Sequence, residues 1–177
     1  MVNAGTGQGV GKTWRRNDLY IELLGASGMA FGLRWKDGWR QDAADMMFVA
    51  DPTEIIRRSF AHAGYSFRGV GKLGNPDDEA VFVSEVRESL KQGRPVLSFG
   101  VVGPPECGLI TGYDEGGEVL IVWNYFQNEP MMAEGAELEP SGCFRKRDWF
   151  PTTISAVAIG GKVARRDLRE RNRDTLR

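Results

Sequence analysis

The stretch from Arg94 to Phe126, RPVLSFGVVGPPECGLITGYDEGGEVLIVWNYF, constrains the fold more than any other part of the chain. Apolar runs occupy Pro95–Val102, Gly108–Tyr113 and Val119–Phe126, separated by Gly103-Pro104-Pro105 and by Asp114-Glu115-Gly116-Gly117. Runs of this length, rich in Val, Ile, Phe and Tyr and bounded by turn residues, read as β-strands. They are close to continuously apolar, which predicts strands covered on both faces. The Asp-Glu-Gly-Gly gap is a tight-turn signal, so the second and third strands are expected as an antiparallel hairpin.

Helices are expected upstream. Asp51-Pro52-Thr53-Glu54 combines an N-cap, a proline at the first helical position and a first-turn acid; Ile55, Ile56 and Phe60 face inward, and Gly64 stops the helix. Another helix runs from Asn75 or Asp77 to about Gln92, with Val81, Phe82, Val86 and Leu90 inward and Gly93 at its end. Asp18–Leu24 is a short helical pattern interrupted by Gly25-Ala26. Ser27 then suits the N-cap of a buried apolar helix over Gly28–Trp35. Tyr65–Val70, Gly142–Trp149 and Ile154–Gly160 read as further strands, and Gln127–Ser141 as a long exposed loop. The implied class is α+β, with N-terminal helices packed on a C-terminal antiparallel sheet. Residues 1–13 are expected as a flexible leader and 14–162 as one domain. Residues 163–177 form a charged tail without an apolar face, a frayed helix or the start of a downstream domain.

Composition excludes several functions. The 177 residues are 41% hydrophobic and 27% charged with a net charge of −1, so nothing global favours nucleic acid or an anionic membrane. No apolar run approaches a membrane span, and the N-terminus lacks the apolar core of a signal peptide, so a cytoplasmic protein is expected. Cys107 and Cys143, with one histidine and no CxxC or HxxxH spacing, predict no metal site; a Cys107–Cys143 disulfide is open to the chain, but a reduced pair suits the cytoplasm. Gly7–Thr13 imitates a phosphate-binding loop, but Thr6 stands where that motif needs glycine and no buried strand precedes it. No nucleotide or other cofactor is expected.

The element order and several short motifs together resemble the papain-like cysteine peptidases. The motifs are Ser27-Gly28-Met29-Ala30-Phe31, Gly93-Arg94-Pro95-Val96, Cys107-Gly108-Leu109-Ile110-Thr111-Gly112-Tyr113-Asp114 and Trp123-Asn124. Within that superfamily the chain looks most like the C39-like peptidases and the N-terminal domain of butirosin biosynthesis protein H, an acyltransferase. The similarity spans roughly residues 18–160. It implies a papain-like fold and places the nucleophile position at Ser27, the base position at Cys107 and the orienting position at Asn124. This chain departs from the pattern at two of those places. A serine needs a base to take its proton, a thiol is a poor one, and Asn124 has no imidazole to hold. The expected function is a catalytically degenerate domain that binds a peptide or acyl ligand, or acts as an interaction module. The alternative is an acyltransferase or cysteine hydrolase using Cys107 or Ser27.

Each of these residues also has a purely structural role open to it. Ser27 suits a helix cap, Asn124 a strand end bonding backbone, and Cys107 a small core filler whose thiol is raised by Glu106. His62 is expected as a helix-end residue favoured by the dipole. Arg145-Lys146-Arg147 reads as a solvated strand face with weak attraction for anions. Trp35, Trp39, Trp123 and Trp149 are expected in packing.

Overall fold

The computed structural model describes residues 8–31, 51–70, 76–104, 106–165 and 167–175. The chain divides into two compact units. One combines the residues up to Ser66 with those from Lys162 onward; the other is Phe67–Gly161.

The first unit holds α1 (Gln8–Ser27), α2 (Pro52–Ala63) and α4 (Leu168–Thr175), with α1 packed on both others. α2 begins and ends as its sequence dictates. Asp51 is extended and accepts from the Thr53 N–H at 2.9 Å, while Gly64, at φ 78°, donates its N–H to Phe60 O at 2.9 Å. Tying α2 to α1, the buried His62 places Nε2 3.2 Å from Glu22 Oε2.

α1 departs from expectation at both ends. It takes in Gln8–Thr13, where an irregular leader was expected; residues 1–7 lie outside the described part. It also runs unbroken through Gly25-Ala26, so Ser27 closes this helix instead of opening the next. An internal glycine costs a helix only about 1 kcal/mol, a deficit that burial of Ala26 and partial burial of Leu23 and Leu24 can offset. Gly28, at φ 82°, adopts the left-handed conformation that ends helices. Gly28–Phe31 form a turn, and the rest of the expected helix, with Trp35 and Trp39, lies outside the described residues. The charged tail contributes α4.

The second unit is built on a seven-stranded sheet and α3 (Pro76–Lys91). The strands are β1 (Tyr65–Val70), β2 (Val96–Phe99), β3 (Cys107–Asp114), β4 (Val119–Trp123), β5 (Ala136–Leu138), β6 (Phe144–Arg147) and β7 (Ser155–Lys162), in the order β1-β7-β2-β3-β4-β6-β5. Every pairing among β2 to β7 is antiparallel, including the expected β3–β4 hairpin. Register lines up Ala158, Val96, Ile110, Val122 and Phe144 as one buried row across five strands. Phe82 and Val86 of α3 join the same core, each nearly inaccessible and contributing about 1.5–3 kcal/mol by burial. The alternate row, Val157, Leu97, Leu109 and Trp123, is also apolar, which accounts for the continuous rather than alternating runs.

The hairpin turn is anchored from outside. Glu115, Gly116 and Gly117 all have positive φ, and the buried Trp149 donates Nε1–H to Gly117 O at 3.0 Å. Gly117 is obligatory there: a Cβ would lie 2.5 Å from Val83 Cγ1. β5 falls inside the segment expected as a loop. It is only three residues long, too short to register as an alternating pattern.

Candidate functional site

Cys107 and Asn124 lie at the same end of the sheet, on neighbouring strands of one unit; Ser27 belongs to the other unit. Cys107 opens β3 opposite Phe99 and is half-buried, with Sγ 3.8 Å from Gly108 O. Burial pushes its thiol pKa up from the ordinary value, and the Glu106 carboxylate adds to the rise. Such a thiol is held in its protonated, poorly nucleophilic form.

Asn124 follows β4 and is 2% exposed. Its side-chain amide donates to Val102 O at 3.2 Å, and its Oδ1 accepts from the Phe126 N–H at 3.0 Å. Both bonds go to backbone. They clamp the loop between β2 and β3 to the end of β4. Gly103 completes the clamp, since a Cβ there would come within 2.6 Å of Phe126 Cε2.

Ser27 has its hydroxyl engaged locally. It donates to Leu24 O at 3.0 Å and accepts from the Met29 N–H at 3.3 Å. It also stands at the negative end of the α1 dipole, where an alkoxide is disfavoured; a nucleophile at a helix N-terminus has the opposite setting. His62 is committed to the contact between α1 and α2.

Two features differ from the sequence expectation, one at Trp123, expected in packing, and one at the arginines of β6. Trp123 and Tyr125 are 37% and 71% exposed and meet edge to face, with centroids 5.1 Å apart, at the strand end that carries Cys107. A cavity of about 470 Å³ lies at the opposite end of β4, lined by Glu115, Val119, Glu137, Arg145, Arg147 and the Gly135-Ala136 turn. Its arginines are not a free anion patch. Arg145 pairs with Asp114 at 2.7 Å and Glu139 at 3.4 Å, and Arg147 with Glu115 at 2.6 Å and Glu118 at 3.2 Å. Asp114 and Arg147 both stand opposite Val119 of β4, and Arg145 lies two residues from Arg147 on β6, so the arginines meet these acids across β4, a relation legible only once the register is known.

Among the described residues no group of three His, Cys, Asp or Glu side chains could hold a metal ion, and no helix is long and apolar enough to cross a membrane. The Gly9–Thr13 part of the phosphate-loop imitation is helical. No family model matches the chain, and no curated protein or solved structure is similar to it at a significant level.

Proposed function

We propose that this chain is a catalytically degenerate domain of the papain-like kind that binds a peptide or acyl ligand, or a protein partner, without transforming it. The observation that carries this reading is the state of Cys107. The position where the resemblance calls for a general base holds a thiol whose ionisation is opposed by burial and by Glu106. Ser27 and Asn124 support it, because both side chains are spent on backbone groups. The exposed Trp123–Tyr125 pair beside Cys107 supplies apolar surface with polar tips, suited to holding a ligand. Two free thiols, Cys107 and Cys143, suit a reducing cytoplasmic setting.

The test is intact mass spectrometry after incubation with short- and long-chain acyl thioesters, beside a peptide-hydrolysis assay. Binding by Trp123 fluorescence with no mass gain and no cleavage is the expected result. Acylation of Cys107 or Ser27 would favour the acyltransferase or hydrolase alternative and overturn the degenerate reading. His62→Ala is expected to leave any activity that is found unchanged.

A further inference from the structure

β5 is one of the two outer strands of the sheet and, among the described residues, is paired on one side only, with β6. Its backbone register decides which groups face outward. Glu139 N–H donates to Cys143 O at 2.8 Å, which makes Glu139 and Cys143 a hydrogen-bonded pair of the antiparallel ladder. Pairs of that kind recur at every second residue, so Glu137 and Arg145 form the next one. Ala136 and Leu138 therefore turn their N–H and C=O groups away from β6. Ala133 O takes the Ala136 N–H at 3.0 Å. Leu138 presents both of its backbone groups on the open edge, and its side chain is 46% exposed.

Glu137 projects to the other face, into the cavity. It stands directly opposite Arg145, yet Arg145 is held by Asp114 and Glu139, and Glu137 has no ion pair among the described residues. Of the charged residues lining the cavity, Arg147 is paired with Glu115 and Glu118 and Arg145 with Asp114 and Glu139, which leaves the Glu137 carboxylate as the lining charge without a counter-ion among the described residues. An open strand edge, a half-exposed leucine on one face and a spare carboxylate in a cavity on the other thus coincide at two consecutive residues, Glu137 and Leu138.

We propose that β5 accepts an extended basic segment of a partner protein as an added strand, with a Lys or Arg side chain seated beside Glu137. The residue of the added strand opposite Glu137 falls in a non-hydrogen-bonded pair, its Cβ about 5 Å from that of Glu137 and on the cavity face. Its neighbours fall on the opposite face, where an apolar side chain covers Leu138. The recognised pattern is apolar–basic–apolar. A second copy of this chain fits less well, since pairing two β5 edges about their centres sets Glu137 against Glu137. This surface uses none of Ser27, Cys107 and Asn124, so it stands or falls independently of the function proposed above.

The test uses the full chain and two fluorescein-labelled, end-blocked peptides, one alternating valine with lysine and one alternating valine with glutamate. Anisotropy is expected to show the lysine peptide binding about tenfold more tightly or better, the scale of exchanging an attractive for a repulsive cross-strand pair. Glu137→Lys should invert the preference. Leu138→Pro, which removes the outward N–H and the leucine side chain but no backbone bond to β6, should abolish binding at unchanged melting temperature; if it lowers that temperature, Glu137→Lys alone decides. Equal binding of both peptides, no binding of either, an unchanged preference in Glu137→Lys, full binding by a folded Leu138→Pro, or dimerisation through this edge would each overturn the proposal.

Discussion

Arg165 reaches back to the end of α2, where its guanidinium donates to Ala63 O from Nε at 3.1 Å and from Nη2 at 2.9 Å. The last carbonyls of a helix have no partner within it, and a cation there also meets the negative end of the dipole. Next to this clasp, Val163 N–H donates to Gly64 O at 2.9 Å.

Arg165→Ala is expected to cost about 1 kcal/mol, because the bonds are charge-assisted but exposed to water. Urea unfolding followed by circular dichroism measures it. Gly64→Ala should also cost about 1 kcal/mol, for another reason: Gly64 sits at φ 78°, a conformation that penalises any Cβ. That Cβ would also meet Arg165 Cγ at 2.7 Å, but a long side chain can move aside. The two losses should therefore add. A harmless Gly64→Ala in the Arg165→Ala background would show instead that the contact, not the backbone, sets the cost.

Asn124 is expected to matter for stability and not for reactivity. Asn124→Ala leaves Val102 O and the Phe126 N–H without their partner and should cost about 2 kcal/mol. Asn124→Asp keeps the acceptor but loses the donor and adds a buried charge, so its deficit should shrink in acid as the carboxylate is neutralised. Neither change should alter the rate at which iodoacetamide labels Cys107 in the folded protein. Slower labelling at unchanged stability would point to an orienting role.

The Cys107 thiol predicts a stability loss in alkali. Its pKa is raised in the fold, by burial first and Glu106 second. Between the unfolded and folded values the native state holds more protons than the unfolded chain, so the contribution is complete below about pH 8.5 and declines as pH rises through the folded value. Cys107→Ala should remove that decline. Glu106→Gln should reduce it only slightly, because burial is the larger cause. Labelling of Cys107 should lag that of a free thiol across the same range; faster labelling at neutral pH would contradict the protonated state.

The central strands were readable because their chemistry is local. Apolar runs between Gly, Pro and Asp turns mark β2, β3 and β4, and Asp51 and Gly64 bracket α2. Ser27 was misplaced because Gly25 resembles a break, whereas packing carries the helix past it. The division into units left no trace in composition: it falls between Ser66 and Phe67, inside β1, with no Gly- or Pro-rich linker. At the candidate site, residue identities showed that an imidazole was missing at Cys107. They could not show that Asn124 turns toward Val102 and Phe126, because that depends on where two loops meet.

The clasp between Arg165 and Ala63 joins residues 102 positions apart. At synthesis rates of roughly 5–20 residues per second, α2 waits on the order of ten seconds on the ribosome before its cap can be made. All of Phe67–Gly161 emerges during that interval, so the sheet can close while the helices of the first unit still lack their final segment. The order of completion is thus the reverse of the order of translation: the unit begun first is the one closed last.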